Sequence, residues 1–198
     1  MIKSLSIFLF PHKTTHKMNR IYKTATIFLL IAISGFMTIS NWTADSSKAR
    51  IKFEISGPFG MVHGGFTGLK TAIVFNESNL AGSTISASID ASTVSTGIGL
   101  RNRDLRTKEE WFNTRKYPLI SFNTTKIEKT DNGYKAIGHL TIKGISKATA
   151  IPFTFKPDEK SGLFKSNFTV LRSDFHLGHN GGSVGNSIKI TLEVPVKK

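Results

Sequence analysis

The side chains of residues 41–198 that could carry chemistry are four histidines, two pairs of adjacent carboxylates and a cluster of arginines. His176 and His179 lie three apart, a separation that can ligate a metal on a helix. Here the pair falls at a strand-to-loop transition, with only Asp174 nearby as a third ligand, whereas zinc patterns need more ligands at defined spacing. His63 and His139 read as surface imidazoles. Glu109 and Glu110 are neighbours in a helical stretch and point in different directions, which makes them a poor acid–base couple. Asp158-Glu159 reads as a solvated turn. Neither a Gly-x-Ser-x-Gly elbow, a His-Glu-x-x-His helix nor a glycine-rich phosphate loop is present. The chain has no cysteine, which excludes a thiol nucleophile, a thiolate metal site, a disulfide and a lipoprotein cysteine anchor. Nothing in this inventory demands an enzyme, a metal or a cofactor.

The arginines belong to the one stretch without strand rhythm. Arg101 to Thr114 is rich in good helix formers and ends before Lys116-Tyr117-Pro118, where proline discourages further helix, so it predicts a single short helix. Between Arg101 and Lys116 it carries six basic and three acidic residues, with Leu105, Trp111 and Phe112 as apolar contacts. Such a helix can cap an open barrel end or lie as a solvated surface element.

Around it, apolar and polar residues alternate with a period of two, the mark of strands with one face buried. The pattern recurs at Ile51–Ile55, Thr71–Phe75, Ile85–Ile89, Ile120–Ile127, Tyr134–Ile142, Thr149–Phe155, Phe164–Val170 and Ile188–Val194, eight strands in all. Turn chemistry at Asp131-Asn132-Gly133, Lys143-Gly144 and Pro157–Gly162 supplies hairpin connections. Short antiparallel strands at this spacing predict an all-β sandwich or barrel. Five glycines and a proline in Ser56–Gly68 predict a bend or bulge.

The 198 residues suit one domain with an extra segment at one end. Residues 1–40 hold five Lys or Arg, no Asp or Glu, and the apolar run Ala25–Met37, the layout of a signal peptide with a mature start near Asn41. Met18 begins an ordinary signal peptide by itself. Residues 41–198 carry 22 basic and 13 acidic side chains, a net +9 that favours anionic lipid head groups or acidic polymers. An exported protein rarely meets nucleic acid, so no nucleic-acid partner is expected.

An eight-stranded barrel is wide enough to be filled by side chains or to hold one small ligand. Strand parity points Phe53, Ile55, Phe66, Ile73, Phe75, Ile89, Phe122, Leu140, Phe155, Phe168 and Ile190 inward, where they would line an apolar tunnel suited to a linear hydrocarbon. Alternation alone does not separate a hollow interior from a packed one. Arg101, Arg103 and Arg106 could hold an anionic head group at the mouth, although surface solubility explains them equally well.

An ordered series of segments resembles the YceI family. It comprises Val62-His63-Gly64-Gly65-Phe66-Thr67-Gly68-Leu69, Ile89-Asp90-Ala91-Ser92-Thr93-Val94-Ser95-Thr96, and Arg103-Asp104-Leu105-Arg106 with Trp111-Phe112-Asn113. Lys116-Tyr117-Pro118-Leu119-Ile120-Ser121-Phe122, Gly138–Lys147 and Arg172-Ser173-Asp174-Phe175 follow in order. The family's helix usually has a His before the leucine, where Asp104 stands, and a Gly after Arg-Ser-Asp-Phe, where His176 stands. The resemblance implies a lipocalin-like barrel, export to the periplasm, and a bound isoprenoid chain such as a polyprenyl phosphate or a quinone-type molecule. Peripheral contact with a membrane surface and a homodimer formed through exposed strand edges are compatible with it. The alternative is a ligand-free envelope interaction or stress-response module that uses its basic face and has a solid core.

Overall fold

The computed structural model describes residues 41–179 and 181–198; the expected signal peptide and the Met18 start lie outside the described residues. Ten antiparallel strands follow one another along the chain: β1 (Asn41–Ala44), β2 (Arg50–Gly57), β3 (Gly60–Phe66), β4 (Lys70–Val74), β5 (Thr84–Asp90), β6 (Leu119–Thr130), β7 (Gly133–Ile142), β8 (Ile145–Pro157), β9 (Ser161–Leu171) and β10 (Ser187–Lys197). One α-helix, α1 (Gly99–Thr107), lies between β5 and β6.

Ten strands make eight staves. β1 and β2 both lie against β10, Ala44 opposite Val196 and Arg50 opposite Glu193. They form one stave broken by a turn in which the Asp45 carbonyl accepts from the amides of Lys48 and Ala49. β3 and β4 face β2 and β1 and are broken in the same way. From β4 the ladder runs through β5, β6, β7, β8, β9 and β10, and the β1–β10 pairing closes it. Among the described residues the fold is thus a closed eight-stave antiparallel barrel with one α-helix, as the periodicity and the resemblance predict, and closure removes most of the sheet edge.

The stretch expected to bend, Ser56–Gly68, instead forms a tight hairpin: Gly57 pairs with Gly60 across Pro58-Phe59, and β3 runs straight through Gly64 and Gly65. The reason is steric. The Phe53 ring from β2 lies where a side chain on Gly64 would sit, so the glycine makes room for a cross-strand aromatic. The helix is also shorter than its sequence signal. Lys108 is extended (ψ 141°), and the chain doubles back so that the Phe112 amide donates to the Leu105 carbonyl, which turns Trp111 and Phe112 toward the barrel.

The packing inside is uneven. At the end formed by the start of β1, the end of β4 and the β6–β7 and β8–β9 turns, Phe75 is 1% exposed. Its ring meets Tyr134, Phe153, Phe155 and Phe164 at centroid distances of 5.1 to 5.5 Å, edge to face. Phe155 also stands 4.4 Å from Phe164 and 5.0 Å from Trp42. Such ring pairs contribute about 0.5–1.5 kcal/mol each beyond their burial. The Trp42 indole N–H donates to the Phe75 carbonyl at 2.9 Å, so this plug leaves no buried side-chain polar atom unsatisfied among the described residues.

The Tyr134 hydroxyl donates to Glu77 Oε1 at 2.5 Å. Burial, then this bond, pushes the phenol up from 10.0 to about 12. The unfolded phenol ionises first, so the stability it contributes is complete below pH 10 and is lost as the pH rises toward 12. Tyr134→Phe is expected to cost about 1 kcal/mol at neutral pH. It should also flatten the alkaline limb of stability against pH, both read from urea unfolding.

Candidate ligand-binding site

Beyond the aromatic plug the barrel is hollow. A cavity of about 930 Å³ runs from a floor of Phe153 and Phe164 toward the opposite end, where α1, the β2–β3 hairpin tip and the segment after β9 surround it. Its volume lies near the top of the range for small-molecule pockets, roughly 300–1,000 Å³. The wall is apolar almost throughout because inward positions of every stave carry Ile, Leu, Val, Ala or Phe.

Nine of the eleven residues expected to face inward line this cavity: Phe53, Ile55, Phe66, Ile73, Ile89, Phe122, Leu140, Phe168 and Ile190. Phe75 and Phe155 point inward as well but sit in the plug, where they are packed against other rings rather than bordering open space. Further wall residues share the same parity and could be found from it, among them Ile188, Leu192 and Val194 on β10 and Ile120 beside Phe122 on β6. Trp111 and Leu105 also reach the cavity, and no strand period could reveal them because they come from the helix and the turn after it.

The helix is held over the mouth by polar contacts. Asn102 Oδ1 accepts from the Thr96 amide and hydroxyl, both at 2.8 Å. At the end of β5, Asp90 Oδ1 accepts from the Ser92 amide at 2.8 Å. Hydrogen bonds from the Ser92 hydroxyl and amide hold the Asp90 carboxyl below the usual carboxylate range. Phe112 packs edge to face on Phe66, which touches Phe53, joining the helical segment to β2 and β3.

The three arginines of this segment have different surroundings. Arg106 is committed to backbone, its Nε donating to the Asn102 carbonyl at 3.1 Å and its Nη1 to the Ser92 carbonyl at 3.4 Å. Arg103 is exposed and sits 3.8 Å from Asp104, which Lys108 also engages at 3.1 Å. Arg101 borders the cavity, and its side chain makes no ion pair or hydrogen bond among the described residues.

A fourth arginine frames the site from within. Arg172 is 3% exposed and borders the cavity. Its guanidinium donates to the carbonyls of Leu177, His179, Val184 and Gly185 and lies 5.8 Å from the Trp111 ring. It ties the loop before β10 to the end of β9 by occupying carbonyls that no strand partner satisfies. Gly178, with φ 69°, belongs to this arrangement, since a Cβ there would run into Trp111 and Arg172. The arginine sits in one of the segments that carry the family resemblance, but arginine reads as a surface residue from type alone.

No three His, Cys, Asp or Glu side chains converge among the described residues, His176 and His179 included. His176, at φ 47°, caps the turn after β9, and its carbonyl accepts from Lys143 Nζ at 2.9 Å.

Residues 42–196, which build this barrel, match the YceI-like domain. The chain belongs to this family. Among similar sequences, the UPF0312 protein YE1254 of Yersinia enterocolitica is 24% identical over 178 residues, 85% of this chain and 92% of that protein. Two solved structures share the YceI-like fold. BcnA of Burkholderia cenocepacia has a TM-score of 0.71 at 22% identity, over 77% of this chain and 98% of its own. A polyisoprenoid binding domain from Saccharophagus degradans has a TM-score of 0.61 at 13% identity, over 81% and 99%. At such identities these two likenesses show the fold alone.

In this YceI-like barrel, Arg172→Met is expected to leave four loop carbonyls without their donor and to cost roughly 3 kcal/mol. A urea midpoint close to that of the unaltered protein would instead mean that the loop holds itself.

Proposed function

We propose that the protein is an exported, non-enzymatic carrier that holds one isoprenoid-type lipid, its tail in the barrel and its head group beside Arg101. The observation that carries this reading is the cavity itself: apolar along its length, closed by rings at one end and open beside an unpartnered cation at the other. Hydrocarbon is the chemistry such a wall recognises. Each buried CH₂ contributes about 0.8 kcal/mol, so a polyprenyl tail binds with few polar contacts.

The polyisoprenoid binding domain among the structures of like fold supports the choice of ligand class. The basic, apolar layout of residues 1–40 supports export to the periplasm. The interaction-module alternative calls for a filled interior, and an opening of about 930 Å³ weighs against it. Catalysis would need a polar constellation at the cavity; its lining is mostly apolar, and among its charged groups Asp104 is engaged by Lys108, Lys165 by Glu193 and Arg172 by loop carbonyls.

Native mass spectrometry of the protein purified gently from its own envelope is expected to show a stoichiometric polyprenyl or quinone-type adduct. Leu140→Trp, which fills the tunnel from its wall, should give a folded protein with an apo mass. An apo mass for the unaltered protein, unchanged after incubation with polyprenyl phosphate, would overturn the reading. Arg101→Gln should weaken polyprenyl phosphate binding about tenfold, the scale of one hydrogen bond to a charged group, and leave a neutral quinone unaffected.

A further inference from the structure

Four hairpin tips of the barrel can be compared. Three are built from polar or turn-forming residues: Asp131-Asn132, Lys143-Gly144 and Asp158-Glu159-Lys160. The β2–β3 tip is Pro58-Phe59, and Phe59 is 100% exposed. Solubility would place a polar residue there. Burying a phenylalanine side chain contributes about 1.5–3 kcal/mol, so a ring left wholly in water at the tip of a tight hairpin is poised to enter something apolar.

Phe59 does not stand alone. Met61 is 55% exposed, and Ile98 and Leu100, at the start of α1, are 49% and 62% exposed. All four border the mouth of the same cavity. The outer edge of β3 from Gly60 to Gly64 has no strand partner among the described residues, its contact on that side being the Gly65–Ser95 bridge. The barrel wall is therefore parted between β3 and α1, and the apolar residues stand on both lips of the slit. Behind one lip comes the basic stretch of α1 and its following turn, with six basic and three acidic residues from Arg101 to Lys116.

We propose that this rim is a membrane-docking surface: Phe59, Met61, Ile98 and Leu100 enter the interface of an anionic bilayer while the basic residues of the Arg101–Lys116 segment engage its phosphates. The slit then faces the bilayer, so a lipid can pass into the barrel without crossing water. The inference rests on the lipid-carrier reading, since a polyprenyl chain has negligible solubility and must be collected from and returned to a membrane. A protruding apolar tip flanked by cations matches the interfacial binding mode, in which apolar burial and attraction to anionic head groups act together. No helix among the described residues is long and apolar enough to cross a membrane, so the contact is peripheral.

The test is flotation of the protein with vesicles of phosphatidylethanolamine and phosphatidylglycerol, with pure phosphatidylcholine vesicles as the uncharged comparison. The protein is expected to float with the anionic vesicles, and Phe59→Ser with Leu100→Ser should lower its partitioning by roughly tenfold or more. Phe59→Trp should show a blue shift of emission on adding the same vesicles. Vesicle binding that is absent, or that persists in the double variant, overturns the proposal, as does a dimer by size exclusion that the same double variant dissolves. Lipid binding is read separately by delivering polyprenyl phosphate from detergent. Uptake there without vesicle docking removes this inference and leaves the carrier reading standing. Docking without any uptake removes the carrier reading and leaves the surface.

Discussion

The interior of an eight-stave barrel has a width set by its strand number, and the inward side chains decide whether it is solid or hollow. Here the bulk is concentrated at one end. Phe75, 1% exposed, is surrounded by Tyr134, Phe153, Phe155 and Phe164, each meeting its ring edge to face. Beyond that end the inward positions carry mostly aliphatic residues, with Phe53, Phe66, Phe122 and Phe168 among them, and a cavity of about 930 Å³ lies between them. The same plug bears the cost of the hollow: an unfilled interior forfeits dispersion contacts, and the aromatic cluster supplies a dense core that offsets them.

The open end follows different rules. It is built from the β2–β3 hairpin, α1 and the loop before β10, none of which can complete a strand ladder there. Arg172 resolves this by donating to four loop carbonyls from a buried position, and Asn102 does the same for the entry to α1 by accepting from Thr96. Charge is distributed to match: Arg103 and Arg106 are committed to Asp104 and to backbone, and Arg101 is left at the cavity edge.

Much of this was legible in the sequence because period two is a strong physical signal. A strand that alternates must put one set of side chains inward, and nine of the eleven residues assigned by parity border the cavity. Parity does not say where along the axis an inward residue falls, which is why Phe75 and Phe155 could not be separated from the wall residues in advance. Glycine was read for its freedom in Ser56–Gly68, whereas at Gly64 its lack of a side chain is what matters, with the Phe53 ring lying over a straight strand. The end of α1 at Thr107 was hidden because Lys108 to Thr114 has acceptable helix propensity and is pulled away by the burial of Trp111 and Phe112. Arg172 was hidden because its role depends on carbonyls that only the folded loop brings together.

The central claim is that the barrel is hollow in order to hold a chain with its tail toward the rings and its head toward Arg101. The most direct measurement is a crystal structure of the protein soaked or grown with polyprenyl phosphate. The account predicts continuous tubular density from the floor of Phe153 and Phe164 to the mouth, with the phosphate near the Arg101 guanidinium. An interior closed up by rotated side chains, or a lipid bound on the outer surface with the tunnel empty, would contradict it.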